Sequence, residues 1–172
     1  YIREKVEDVL EISGYMPNSH DGKALRHILE KYPRDELFQI DTKELHKTAS
    51  DILKLQERQR IALFMRRDPF GRYISCLVYI PRDRFGTDLR QEIIRILSKE
   101  LNGECSNFFV MLDDSVFARI KFDFGAVSNR IRYARATELV RGSAGRTQHV
   151  PLPTRRPKWL YQNDRECRRV VS

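Results

Sequence analysis

Residues 60–86 read RIALFMRRDPFGRYISCLVYIPRDRFG, and the fold turns on how this stretch is divided. Two apolar runs, one within 60–67 and one within 72–80, are too short for helices and are rich in β-branched and aromatic residues, so both read as strands. Between them Asp68-Pro69-Phe70-Gly71 has hairpin-turn chemistry: Pro presets φ near −65° and Gly admits φ > 0. The run from Tyr73 to Ile80 is apolar at successive positions, as expected of an inner strand covered on at least one face. The phrase Arg67-Asp68-Pro69-Phe70-Gly71 returns as Arg82-Asp83-Arg84-Phe85-Gly86 beyond that strand. Eight residues at roughly 3.3 Å each put the two phrases about 26 Å apart, so they cannot build one site in one subunit. Both read as punctuation, a turn and a helix approach.

Outward from this stretch the period changes in both directions. Residues 87–101 return to helical spacing, with Thr87 as the expected cap, Leu89, Ile93, Ile96 and Leu97 on one face, and Asn102-Gly103 as the stop. Strands are then expected over 104–112 and 116–124, joined by Asp113-Asp114-Ser115. In the second of these Ala118, Ile120, Phe122 and Phe124 alternate with Arg119, Lys121 and Asp123. On the other side, three helices are expected before residue 58. The first carries Val6, Val9 and Leu10 and stops at Gly14. The second is capped by Asn18 or Ser19 and carries Ala24, Leu25, Ile28 and Leu29. The third is capped by Asp41 and carries Leu45, Ala49, Ile52 and Leu53. The short LFQI at 37–40 reads as a strand before the third helix. The order β, α, β, β, α, β with one added hairpin strand is an α+β, ferredoxin-like plan. The expected organisation is a helical lead-in over 1–34, this module over 35–124, and an irregular, Arg-rich tail over 125–172, in which a helix at the start, from Ser128, is left open before Pro151, Pro153 and Pro157.

Charge supports the last boundary. The net charge of +8 comes from 32 Lys and Arg against 24 acidic residues, and residues 125–172 hold 11 of the former and 3 of the latter. That leaves 21 of each in residues 1–124, a neutral body with no electrostatic footprint for nucleic acid. Tyr73 and Tyr79 are placed as base-stacking aromatics would be, but the RNA-binding signature around them is absent. A ferredoxin-like nucleic-acid binder with a basic arm is the rival reading, separable by the salt dependence of binding.

Enzymatic chemistry finds little support. The glycines form neither GxGxxG nor GxxxxGK, and Gly142–Gly145 makes a GxxG outside any helical pattern. Cys76, Cys105 and Cys167 lack CxxC spacing, the four histidines form no zinc pattern, and Cys76 in an apolar strand reads as a buried structural thiol. No catalytic, cofactor-binding or metal-binding residue is expected. No apolar run is long enough to span a bilayer and no secretory signal is visible, which makes the cytoplasm the expected compartment.

The phrases SHDGKAL, YPRDELFQ, LQERQRIALFMRRDPFGRYISCLVYIPRDRFGTDLRQEI and FARIKF, in this order over about residues 17–124, resemble the amino-terminal part of the large bacterial NAD-specific glutamate dehydrogenases. The resemblance implies a piece of a much larger, homo-oligomeric subunit that oxidatively deaminates L-glutamate to 2-oxoglutarate and ammonia with NAD as hydride acceptor. It also implies that this stretch is a non-catalytic ACT-type module for regulation or assembly. ACT modules take amino-acid effectors where the first strand meets the first helix, commonly at a Gly. The counterpart here, Gln39-Ile40-Asp41-Thr42, lacks one, so subunit contact is the expected role. A freestanding amino-acid sensor is a third reading. The candidate effector or subunit contacts are Gln39, Asp41, Arg67, Asp68, Arg82 and Asp83. The resemblance stops near Phe124, and a translated shifted reading frame is the expectation for residues 125–172.

Overall fold

The computed structural model describes residues 1–125 and 133–143. It divides into two compact units, Tyr1–Gln59 and a second beginning at Arg60.

The first unit is helical: α1 (Ile2–Ser13), α2 (His20–Glu30), α3 (Arg34–Gln39) and α4 (Thr42–Leu55). Ser19 caps α2 by accepting from Gly22 N, and Asp41 caps α4 by accepting from Lys43 N, as the local patterns require. Helix α4 packs on α1 and α2 through Leu45, Ala49 and Ile52. It therefore belongs to the lead-in, and the boundary falls at Gln59/Arg60 rather than at 34/35. Gly22 sits so close to Met16 O that a Cβ there would lie 2.3 Å from it, a backbone approach only glycine permits.

The strand expected over 37–40 is instead helix α3. Asp35 and Glu36 in its first turn complement the helix dipole, and Leu37 and Ile40, three residues apart, are buried while Phe38 and Gln39 are exposed. A four-residue apolar run cannot by itself distinguish a strand from a buried helical turn. Tertiary structure decides for the helix through the buried Lys5, whose Nζ donates to Leu37 O and Ile40 O, both at 2.8 Å. The carbonyls that α3 leaves open at its end are thereby satisfied.

The second unit contains β1 (Ala62–Arg67), β2 (Tyr73–Pro81), a 3-10 turn (Arg82–Arg84), α5 (Thr87–Leu101), β3 (Glu104–Met111), β4 (Phe117–Gly125) and α6 (Tyr133–Gly142). The strands form one antiparallel sheet in the order β1-β2-β4-β3. A βαββαβ chain, whose two crossovers each skip one strand, lays its strands in the order 4-1-3-2. Moving the first strand and helix to the end of the chain converts that order into the one observed. The unit is thus α+β and ferredoxin-like. The strand expected as an added hairpin edge, 116–124, is the inner strand β4, and α6 follows it as the second helix.

One face of the sheet carries the core. Ile74, Cys76, Val78 and Ile80 of β2 and Ala118, Ile120, Phe122 and Phe124 of β4 pack with Leu89, Ile93, Ile96 and Leu97 of α5. Ala136 and Val140 of α6 join them, both fully buried. The irregular tail expected from Gly125 is therefore corrected over 133–142: two small apolar residues four apart seat a helix on the sheet despite the surrounding arginines. Readings for residues 126–132 and 144–172 lie outside the described residues. Thr87, expected as a cap, is instead the first helical residue of α5, with Gly86 in the cap position and no side-chain cap bond. Asn102 ends α5 in the left-handed conformation at φ 50°.

Candidate functional site

The six candidate residues fall into three places. Gln39 ends α3, and Asp41 caps α4. Both lie in the first unit at a helix-to-helix step, not where a strand meets a helix. Arg67-Asp68 and Arg82-Asp83 lie at opposite ends of β2 in the second unit, so these two pairs do not converge.

Asp68 builds the β1–β2 turn. Its Oδ2 accepts from Phe70 N at 3.1 Å, Arg72 N at 3.3 Å and Arg72 Nε at 2.9 Å, while Oδ1 accepts from Arg72 Nη2 at 3.0 Å. Asp68 O accepts from Gly71 N at 2.8 Å, and Gly71 sits at φ 69°, in the left-handed region that favours glycine. The hydrogen bond from Arg72, followed by further donors, holds the Asp68 carboxyl down at about 2 although burial opposes this. The product is a hairpin tip tied by five hydrogen bonds to Asp68. On it Phe70 is 81% exposed, with the Arg72 guanidinium 5.1 Å from its ring centroid and Arg67 exposed beside it.

The far end of β2 is a clamp. Arg82 Nη1 donates to Asp113 O at 2.6 Å and Arg82 N to Val116 O at 3.0 Å, tying the 3-10 turn to the β3–β4 hairpin. The Asp113 side chain accepts from Ser115 N at 3.0 Å and from Arg119 Nη2 at 2.8 Å. Asp83 is exposed.

On the sheet face opposite the α5 core, Arg119 and Lys121 are buried, and Lys121 pairs with Asp123 at 3.0 Å. Tyr79, opposite Arg119 in the register, has its ring edge-on to Phe64 and Phe117 at 5.9 and 6.0 Å. Burial pushes its hydroxyl up to about 12 against the opposing pull of Arg119. A ring placed this way cannot stack a base, so Tyr79 is removed from any nucleic-acid reading. The alternation in 116–124 showed that these charges share a face, but not that the face is buried.

In the first unit, the end of α1 and the start of α2 enclose a cavity of about 340 Å³. Leu10, Tyr15 and Pro17 form its apolar wall, with Glu7, Glu11 and Arg26 at its polar side. Arg26 Nη1 and Nη2 donate to the Glu7 carboxylate at 3.0 and 3.4 Å, which lowers the Glu7 pKa. Neither this cavity nor Phe70 was picked out from sequence. The available signal was an aromatic between Pro and Gly in a turn, where polar residues normally stand. Among the described residues, no group of three His, Cys, Asp or Glu is placed to hold a metal, and no helix is long and apolar enough to cross a membrane.

A helical unit followed by a permuted ferredoxin-like sheet with two helices on one face defines a module of the ACT type. Two family models match in turn: glutamate dehydrogenase, helical motif 1, over residues 1–58, and glutamate dehydrogenase, ACT2 domain, over residues 62–141. Their junction coincides with the division of the two units. The chain belongs to the large NAD-specific glutamate dehydrogenase family. It is 49% identical over 121 residues to the NAD-specific glutamate dehydrogenase of Halomonas elongata, which covers 70% of this chain and 8% of that protein. The enzyme of the same name from Pseudomonas aeruginosa is 42% identical over 122 residues, 71% of this chain and 8% of that protein. That from Mycobacterium tuberculosis is 32% identical over 121 residues, 70% of this chain and 7% of that protein. The chain thus spans less than a tenth of these relatives. The ACT2 match runs to residue 141, through α6, so family character does not end near Phe124.

The relatives are NAD-specific, but the described residues do not fit a dinucleotide. The step from β2 into α5 runs through Pro81–Gly86 without a GxGxxG turn, and every paired strand is antiparallel.

Proposed function

We propose that this stretch is a non-catalytic assembly and regulatory module of a homo-oligomeric enzyme that oxidatively deaminates L-glutamate to 2-oxoglutarate and ammonia with NAD. The observation that carries the reading is the pair of glutamate dehydrogenase models falling in order on the two structural units. Three of the six candidate positions carry structural rather than catalytic roles: Asp41 is a helix cap, Asp68 a turn builder and Arg82 a clamp, each committed to backbone or a neighbouring ion. An amino-acid effector is a secondary part of the proposal. The neutral charge balance of residues 1–124 argues against nucleic acid as a partner.

The test replaces the corresponding segment of the Pseudomonas aeruginosa enzyme with residues 1–141 of this chain and follows glutamate-dependent NADH formation. A chimera that keeps the parent's activity and oligomer size supports the proposal, with the separate 172-residue chain producing no NADH. NADH formation by the chain alone, or a chimera that neither assembles nor turns over, refutes it.

A further inference from the structure

Helix α1 departs from the usual electrostatics of a helix at one place. Its last turn holds no basic residue and carries instead Glu11, at the negative end of the helix dipole and four residues beyond Glu7. Glu11 is exposed and has no ion-pair or side-chain hydrogen-bond partner among the described residues. Both placements cost the helix stability, and no neighbouring cation offsets them. A local cost without a structural return is the mark of a functional position. Glu11 lines the cavity of about 340 Å³ that the end of α1 and the start of α2 enclose.

The lining selects the chemistry of a ligand. The volume lies at the lower end of the range of about 300–1,000 Å³ for small-molecule sites, which suits a molecule of amino-acid size and not a dinucleotide. Leu10, Tyr15 and Pro17 supply an apolar wall, and Glu7, Glu11 and Arg26 a charged side. Two carboxylates against one guanidinium leave the lining net negative, so a phosphate or a dicarboxylate is repelled and an ammonium attracted. Arg26 gives an N–H of Nη1 and one of Nη2 to Glu7, only part of its five-donor fork. Both side chains of that pair are well exposed, so the rest of the fork stays open to a second carboxylate. A zwitterion answers both groups. We infer that the α1–α2 cavity binds an amino acid with an apolar side chain, its ammonium on Glu11, its carboxylate on Arg26 and its side chain against Leu10, Tyr15 and Pro17. The site is built wholly from the first unit. It gives the amino-acid effector of the proposed function a class and a place, and rests on that reading only in treating the bound molecule as a regulator.

Titration of the full 172-residue chain, labelled with nitrogen-15, against L-leucine tests the site through amide chemical shifts. A saturable shift of amides within residues 7–26 is expected, with a dissociation constant on the order of 1 mM or tighter. Three relatives of the probe should each bind about tenfold more weakly or worse: 3-methylbutylamine lacks the carboxylate, 4-methylpentanoate lacks the ammonium, and L-glutamate adds a negative charge. Glu11→Gln should weaken L-leucine by a similar factor while melting no lower than the wild type, because the change removes an unpaired charge from the wrong end of a helix. Tyr15→Ala, at an exposed loop position, supplies a second variant and should weaken binding through the lost apolar wall. The absence of a saturable shift up to about 20 mM, some twenty times that constant, overturns the site. So does an undiminished affinity in Glu11→Gln, or binding of any of the three relatives as tight as that of L-leucine. None of these titrations involves NAD or the chimera, so the failure of this site and the failure of the dehydrogenase reading remain distinguishable.

Discussion

Replacing Lys5 by Met should destabilise the first unit. The Lys5 Nζ donates at 2.8 Å to both Leu37 O and Ile40 O in a buried position, and Met keeps the length of the stem while removing the ammonium. A hydrogen bond to a charged group contributes roughly 1.5–3 kcal/mol net, and the two carbonyls left behind are buried acceptors. Two such bonds from one ammonium, less the cost of burying it, put the loss at about 2–4 kcal/mol. For a unit of some 60 residues each kcal/mol shifts the midpoint by about 4–8 °C, so a fall of roughly 8–32 °C is expected in the helical melting transition followed by circular dichroism. Lys5→Ala should cost more, by the packing of the stem. If Lys5→Met melts within 2 °C of the wild type, the ammonium does not hold the end of α3, and the reason given for that helix fails.

The Asp68 carboxyl is held at about 2, below its ordinary 3.8, so its contribution is fully present above pH 4 and is lost as pH falls toward 2. Asp68→Asn should flatten the acid limb of an unfolding curve between pH 2 and 4, and an unchanged limb would count against the turn network. Gly22→Ala places a Cβ 2.3 Å from Met16 O and must displace backbone, so a loss of about 1–3 kcal/mol in urea denaturation is expected, where an exposed helical Gly→Ala would instead stabilise. Val140→Ala should cost about 1–3 kcal/mol in the same assay through the cavity left under α6, and a neutral result would detach α6 from the sheet.

Much of the fold was legible because its signals are local. The cap at Ser19, the cap at Asp41, the Asn102 stop and the stripes on α2, α4 and α5 each lie within one turn or one helix face, where short-range sterics and hydrogen bonding decide. Where reading failed, the deciding contact was distant. LFQI became α3 because Lys5, more than thirty residues earlier, reaches its carbonyls. Residues 133–142 became a helix because Ala136 and Val140 found the sheet, which composition among arginines does not reveal. The candidate positions show the same division: Asp68 was recognised as turn chemistry, whereas the exposure of Phe70 on that turn is a property of the folded surface.

Periodicity and phrases long enough to be specific were sufficient for the α+β class, the helical lead, the residue ranges of all four strands and the family. Folding in three dimensions was needed to place β4 inside the sheet, to bury Arg119 and Lys121, to divide the units at Gln59/Arg60 and to leave Phe70 exposed on the β1–β2 turn. Strand order, burial and cavity shape all depend on which distant residues meet. Periodicity says which face a side chain shares with its neighbours, but not what comes to cover that face.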